Sequence, residues 1–239
     1  MNYSTVIFDL FGTLVNDFRS VAGYTYDELA DILGVPPEPF MKMWREIMGR
    51  RTLGEFQTVE ASIEYVCGAL GVTVNREQMV KAVEFRLEYT RRALTPKPDA
   101  VATLVQLKQT GFKLGLLSNC SIEIPILWPE TEFANLIESP IFSSRERLKK
   151  PDPRIYQLAC ERLGVAPKEC LYIADGENYE LKAAAASGMN AVLIRPELLE
   201  PHGDLRQEAR QWQGPAISAL AEVLTITGTG GQKTTSTCS

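Results

Sequence analysis

The stretch Thr5-Val6-Ile7-Phe8-Asp9-Leu10-Phe11-Gly12-Thr13 combines an apolar run, an acid and a glycine turn. Its first four residues favour β structure and do not alternate with polar residues, which is typical of a strand covered on both faces of a parallel sheet. Ligands of open α/β sheets bind beyond the carboxyl ends of the strands. Asp9 lies at such an end and is therefore the first candidate functional residue.

Other apolar runs of similar length predict further strands. Helical patterns lie between them, at 99–110, 152–163 and 180–187, and each is followed by a glycine that can end a helix. Strands that alternate with helices predict an α/β fold with a doubly wound, Rossmann-like parallel sheet. The predicted further strands are residues 113–117, 170–173 and 190–194, with a weaker one at 141–143.

The region after the first strand has a different pattern. Helical periodicity dominates residues 17–92, no strand is evident there, and Asn75 with Gln78 forms a capping-box pattern. We predict that 17–92 form an inserted all-helical cap domain, and that 1–16 with 93–224 form the α/β core. Residues 225–239 are polar and rich in Gly and Thr, which predicts a disordered tail.

Bulk composition narrows the classes of function. The chain has 239 residues and a formal net charge of -5, so no long-range attraction to nucleic acid or anionic lipid is expected. The five cysteines match no zinc or redox motif, and His202, the only histidine, lies beyond the motif-like clusters, which argues against a histidine-based triad. We expect a cytoplasmic protein, monomeric or homodimeric, without nucleic-acid or membrane partners.

Polar residues follow the predicted strands at points that should share one edge of the sheet. Carboxylates, a lysine and small hydroxyl or amide residues recur at these points, and chance rarely aligns such groups. The four clusters contain Asp9 with Thr13, Ser118 with Asn119, Lys150 in Lys-Lys-Pro-Asp-Pro, and Asp175 with Glu180.

In this order, these clusters resemble the four motifs of the haloacid dehalogenase-like (HAD) hydrolase superfamily. The matching segments read Asp-x-x-Gly-Thr, Leu-Leu-Ser-Asn, Lys-Pro-Asp-Pro-Arg-Ile-Tyr and Ile-Ala-Asp-Gly-x-x-x-Glu-Leu-x-x-Ala. The resemblance extends from Val6 to about Arg195 and includes the position of the helical insert. Asp-x-x-Gly-Thr alone is a moderately specific signal, whereas the four motifs in this order are a strong one.

The resemblance implies a role for each motif residue. Asp9 would be a covalent nucleophile, steadied by Thr13, and a carboxylate is already ionised at neutral pH. Lys150 would balance the negative charges of Asp9 and the substrate. Ser118 and the backbone amide of Asn119 would bind substrate oxygens.

The resemblance also implies a Mg²⁺ site. Its ligands would be Asp9, the backbone carbonyl of Phe11, Asp175 and, as a second acidic group, Glu180. Oxygen ligands of this kind suit a hard dication. The metal would screen the repulsion between Asp9 and a phosphate.

Phe11 departs from the pattern of the phosphatases in the superfamily. They carry a second aspartate at this position as general acid and base, and a phenyl ring cannot replace it. The dehalogenase branch has an aromatic residue here, shares Tyr156 and uses no metal, but it has serine where this chain has Asp175. We predict a Mg²⁺-dependent phosphatase of a small phosphorylated metabolite. The alternatives are a metal-independent 2-haloacid dehalogenase and a non-catalytic binding module.

Overall fold

The computed structural model describes residues 3–18, 26–195 and 206–229. Six parallel strands form one sheet in the order β3-β2-β1-β4-β5-β6, with helices on both faces. The predicted doubly wound α/β fold is confirmed. The strands are β1 Thr5–Phe8, β2 Lys113–Ser118, β3 Ser139–Phe142, β4 Cys170–Ala174, β5 Asn190–Ile194 and β6 Ala216–Ile217.

The helices fall into two groups along the chain, one between β1 and β2 and the other around the sheet. The first group is α1 Tyr26–Leu33, α2 Pro37–Glu46, α3 Met48–Thr52, α4 Val59–Ala69 and α5 Arg76–Ala93. The second is α6 Ala100–Gln109, α7 Glu123–Leu127, α8 Ser143–Glu146, α9 Pro153–Leu163, α10 Glu180–Ala186, α11 Gln207–Gln211 and α12 Glu222–Ile226.

The central strand β1 sets the position of everything that follows it. All four of its residues are buried, and Phe8 lies in register with Leu116 of β2 and Ile173 of β4. Because the three strands run in the same direction, the residues just beyond them emerge at one edge of the sheet. Asp9 and Asp175 are the residues just beyond β1 and β4, and Ser118, the last residue of β2, lies at the same edge.

The two faces of β1 contribute to two separate hydrophobic clusters. Val6 and Phe8 pack with the cluster that contains α6 and α7, whereas Ile7 packs with the cluster that contains α9 and α10. This division follows from the alternation of side chains along a strand. It also explains why β1 lacks polar residues, since neither face meets water.

The helices of the first group have a hydrophobic cluster of their own. Its largest fully buried members are Phe40 and Trp44, whose rings stack with centroids 5.5 Å apart. The capping box predicted at Asn75 and Gln78 is present at the start of α5. The described residues between 26 and 93 contain no strand. The division into cap and core at 17–92 stays a prediction.

The C-terminal part of the described chain differs from the sequence-based expectation. The tail was expected to begin at Thr225, but this residue belongs to α12. The Thr227 hydroxyl donates to the Val223 carbonyl at 2.9 Å, and the Thr229 amide donates to the Leu224 carbonyl at 2.8 Å. These local bonds extend the ordered chain to Thr229 because threonine hydroxyls can satisfy the free carbonyls at a helix end. The rest of the predicted tail, 230–239, lies outside the described residues, as does His202.

None of the described helices combines the length and the apolar character that crossing a membrane requires.

Candidate active site

Asp9 follows β1 directly and is almost completely buried. Its amide donates to the Ile173 carbonyl at 2.9 Å, which extends the ladder between β1 and β4 by one residue. The chain then turns at Gly12, whose φ of +77° is unfavourable for residues with a Cβ. This turn brings the Thr13 hydroxyl back to donate to Asp9 Oδ2 at 3.1 Å. One carboxylate oxygen of Asp9 is thereby fixed in direction.

Lys150 reaches the same place from the segment before α9. Its ammonium donates to Asp9 Oδ1 and Glu180 Oε2, both at 2.5 Å, and to the Tyr172 hydroxyl at 3.2 Å. The Asn119 side chain holds the Lys150 backbone through two hydrogen bonds of 2.8 and 3.0 Å. Lys150 is therefore positioned at both its backbone and its ammonium group.

The loop after β4 presents Asp175 and Glu180. The residues Gly176, Asn178 and Tyr179 have left-handed conformations, with φ of 79°, 54° and 59°. Two such non-glycine residues in succession are uncommon and mark a loop that its surroundings hold in place. The Glu177 amide supports the loop by donating to Asp175 Oδ1 at 3.2 Å and to Glu180 Oε1 at 3.1 Å.

Burial alters the acidity of the three carboxylic acids. Burial raises the pKa of Asp9 to about 6, although the Lys150 charge acts in the opposite direction. Burial raises the pKa of Asp175 and of Glu180 to about 7, and neighbouring carboxylates add to both shifts. Burial alone would lower the pKa of Lys150, but Asp9 and Glu180 raise it overall, so this lysine stays charged.

The three acids lie close enough together to ligate one metal ion. Asp9, Asp175 and Glu180 each offer a carboxylate oxygen, and these three atoms all lie within 4.8 Å of one another. A buried set of carboxylate oxygens suits a hard dication such as Mg²⁺. The donor set thus fits the predicted metal in chemical type. The roles of Asp9, Phe11, Asp175 and Glu180 as ligands remain predictions.

Phe11 contributes no acid or base to the site. Its ring is partly buried against the core and meets the Phe18 ring edge to face, with centroids 5.2 Å apart. Phe18 in turn lies 4.8 Å from the ring of Tyr89 in α5. Phe11, which stands where phosphatases of the superfamily carry an aspartate, therefore belongs to a row of edge-to-face aromatic contacts that links the turn after β1 to α5.

Comparison with known proteins identifies the family. The model of haloacid dehalogenase-like hydrolases matches residues 3–188.

The chain belongs to this family.

Its relatives within the HAD family carry different activities. The (S)-2-haloacid dehalogenase 4A of Burkholderia cepacia is 29% identical over 198 residues, which span 79% of this chain and 81% of the relative. The glyceraldehyde 3-phosphate phosphatase of Methanopyrus kandleri is 32% identical over 115 residues, which span 46% of this chain and 49% of the relative. The family membership establishes a hydrolase and leaves its reaction to be argued from the site.

A solved structure from the HAD family supports the same fold. The HAD phosphatase from Thermococcus onnurineus has a TM-score of 0.63 and 22% identity, and the match covers 95% of this chain and 98% of that one. At this level of identity the likeness concerns the fold alone.

The residues predicted to bind substrate occupy different positions at the site edge. Ser118 is buried at the end of β2. Its hydroxyl makes no hydrogen bond of normal geometry within the described residues, although it lies near enough to Cys120 to influence the pKa of that thiol. The side chain of Asn119 binds the Lys150 backbone, so the backbone amide of Asn119 is the group left for the predicted role.

Three residues at this HAD site were not identified from the sequence. Tyr172 donates to Glu180 Oε2 at 2.8 Å, and Arg206 lies against Asp175 and Asp17. Tyr172 could have been noticed as a polar aromatic residue inside a predicted strand. Arg206 and Asp17 had no motif to mark them, because both lie outside the four motif segments.

Proposed function

We propose that the chain is a Mg²⁺-dependent phosphatase that acts on a small phosphorylated metabolite through Asp9. The observation that carries the proposal is the convergence of three buried carboxylates, Asp9, Asp175 and Glu180, on one point. Within the described ranges, the cations paired with this cluster are Lys150 and Arg206, which supply two positive charges. A dication would neutralise the remaining negative charge and that of a phosphate.

In the proposed reaction, an Asp9 oxygen attacks phosphorus and the bond to the ester oxygen breaks, which leaves an aspartyl phosphate. Thr13 holds Asp9 Oδ2, so the other oxygen, Oδ1, is the better placed nucleophile once Lys150 turns towards the incoming phosphate. Water then attacks phosphorus, the bond between phosphorus and the Asp9 oxygen breaks, and inorganic phosphate leaves as the Asp9 carboxylate is regenerated. One proton of the water passes to solvent, from which the departed alkoxide takes up a proton. Bound Mg²⁺ would supply charge neutralisation at the phosphoryl oxygens.

The identity of residue 11 restricts the substrates of this reaction. With Phe11 in place of an acid, an alkoxide leaving group would depart without a proton from that position. Esters whose leaving groups are already weak bases should therefore react faster than simple alkyl phosphates. A comparison of phosphate release from acyl phosphates and from simple alkyl phosphates measures this preference.

Hydrolytic dehalogenation of a 2-haloacid is the second candidate, and a specific observation favours it. Arg206 and Lys150 already pair with Asp175, Asp9 and Glu180, so the cluster has cations of its own. Halide leaves carbon without protonation, and Phe11 would then cost nothing. Tyr156, whose hydroxyl donates to the Glu180 carbonyl at 3.0 Å, also matches the dehalogenase branch of the HAD family.

One pair of assays separates the two candidates. The first measures phosphate release from a panel of small phosphate monoesters and acyl phosphates, in Mg²⁺ and in excess EDTA. The second measures halide release from (S)-2-chloropropionate under the same two conditions. We expect phosphate release that requires Mg²⁺ and disappears in the Asp9→Asn variant.

The contrary results are equally specific. Halide release that persists in EDTA, without phosphate release, would establish the second candidate. Equal phosphate release by the wild-type protein and the Asp9→Asn variant would show that the signal comes from a contaminant. Binding of substrates without any turnover would favour a non-catalytic module.

Ser118 provides a test of substrate binding at the same site. Because its hydroxyl has no normal hydrogen bond to lose, Ser118→Ala should leave the melting temperature unchanged. Loss of a hydrogen bond to a charged substrate oxygen should raise KM about tenfold or more. Ser144→Ala is a matched control, since Ser144 is another buried serine whose hydroxyl lacks a normal partner in the described chain. An unchanged KM in Ser118→Ala would remove Ser118 from the binding site.

A further inference from the structure

Arg206 immediately precedes α11, which lies between β5 and β6 in the chain, and its side chain lies at the acidic cluster. Its Nε donates to Asp175 Oδ2 at 2.8 Å, and its Nη2 lies 2.6 Å from the same oxygen. Nη2 also donates to Asp17 Oδ2 at 2.7 Å. The guanidinium is largely buried, so these contacts are only weakly screened by solvent.

The segment around α11 holds Arg206 in this position independently of Asp175. Glu208 is buried and accepts hydrogen bonds from the Leu181 and Lys182 amides at 2.9 and 2.7 Å, which ties the segment to the start of α10. Ala209 lies against Gly176, where an added Cβ would come within 3.0 Å of the Ala209 amide. The packing of this segment, together with the charge attraction, therefore positions the guanidinium against Asp175.

Asp175 has no oxygen that lacks a protein donor in this arrangement. Oδ1 accepts the Glu177 amide, and Oδ2 accepts Arg206. The other side of Oδ2 is closed by Gly12, where an added Cβ would lie only 2.0 Å from this oxygen. A metal ion that used Oδ2 would have to take the place of the guanidinium.

We propose that Arg206 is a resident cation that competes with divalent metal for Asp175 Oδ2. This proposal rests on the metal site of the proposed function. Arg206 is a positioning residue, because it acts on the site through Asp175. When the guanidinium stays in place, the carboxylate is neutralised by the protein itself; when metal binds, Arg206 moves off Oδ2 and keeps Asp17 as its partner.

The test is the affinity of the full-length protein for Mg²⁺, measured by isothermal titration calorimetry without substrate. Arg206→Met removes the charge but keeps an unbranched apolar stem, and it should tighten Mg²⁺ binding about tenfold or more. Arg206→Lys keeps a charge without the paired donors and should give a smaller gain. Arg154→Met is the matched control, because Arg154 is exposed and pairs with Asp152, and it should not change the affinity.

Each outcome decides the proposal. Tighter binding in Arg206→Met, including binding that the wild-type protein lacks, supports it. Equal or weaker binding, or no binding in either protein, overturns it, since Arg206 would then support Asp175 and not exclude metal. If Arg206→Met fails to fold, the comparison of Arg206→Lys with wild type decides by the same rule.

The calorimetric readout also separates this inference from the proposed reaction. Tighter Mg²⁺ binding without any phosphate release would leave the inference intact and overturn the phosphatase. Mg²⁺-dependent phosphate release, with a Mg²⁺ affinity that is unchanged in Arg206→Met, would support the phosphatase and overturn the inference about Arg206.

Discussion

Replacing Asp9 by asparagine should abolish hydrolysis while leaving the fold intact. An amide oxygen is a poor nucleophile, and the loss of a covalent nucleophile commonly lowers kcat by about a thousandfold or more. Thr13 and Lys150 contact the two carboxylate oxygens of Asp9, so the substituted side chain has the same space and similar neighbours. The measurement is kcat on whichever substrate the wild-type protein hydrolyses. Asp152→Asn, which changes an aspartate that caps α9, should retain full activity.

The stability of the Asp9→Asn variant shows whether its defect is chemical or structural. The pKa of Asp9 is about 6 in the folded protein, above its ordinary value of 3.8. Ionisation of Asp9 therefore lowers the free energy of unfolding as the pH rises from about 4 to 6. In metal-free buffer, the melting temperature of the variant should therefore gain on that of the wild type across this window and level off above it. A variant that melts well below the wild type at pH 7 would indicate that Asp9 has a structural role instead.

The sheet and the position of the acidic cluster could be predicted because they depend on local pattern. Continuous apolar runs mark the buried strands, and parallel strands must end at the same edge, so Asp9 and Asp175 had to be neighbours. The short strand β6 could not be predicted in this way. Its two residues are held by pairing with β5, a contact between segments more than twenty residues apart.

The electrostatic balance of the site could not be read from the motifs. Motif positions identify groups that meet substrate, but the cation beside Asp175 comes from Arg206, thirty-one residues further along the chain. Nothing in the composition of its surroundings distinguishes it from a solvated arginine. The role of the Asn119 side chain could not be predicted either. The sequence assigned a role to its backbone amide, whereas its side chain fixes the Lys150 backbone. Both roles arise from tertiary packing, which no spacing rule encodes.

A second large effect is expected where the helices between β1 and β2 meet the α7 region. Glu123 of α7 is buried and accepts hydrogen bonds from Arg51 of α3 at 2.6 Å and from Arg86 of α5 at 2.8 Å. The guanidinium carbons of both arginines lie over the Trp44 ring, at 4.1 and 5.2 Å from its centroid. One carboxylate therefore joins two helices of the insert to the segment that follows the Ser118–Asn119 turn.

Glu123→Ala should lower the free energy of unfolding by about 3–5 kcal/mol, because it removes the negative charge that two buried guanidinium groups share. Urea denaturation measures this loss. Glu130→Ala is the matched control: Glu130 also pairs with an arginine of α5, Arg91, but both side chains are about half exposed, so about 1 kcal/mol or less is expected. Equal losses of unfolding free energy in the two variants would contradict the stabilising role of the buried Glu123 charge.

The dependence of this effect on pH gives an independent check of its electrostatic origin. Burial acts to raise the pKa of Glu123, but Arg51 and Arg86 overcome it and hold the pKa far below the ordinary value of 4.5. A carboxylate with a depressed pKa stabilises the fold above the pKa of the unfolded chain, and the contribution fades as pH falls. The difference between wild type and Glu123→Gln should thus be constant above about pH 5 and shrink at lower pH. A difference that stayed constant down to pH 3 would mean that Glu123 acts through its shape and hydrogen bonds, and that its charge does not hold the insert against α7.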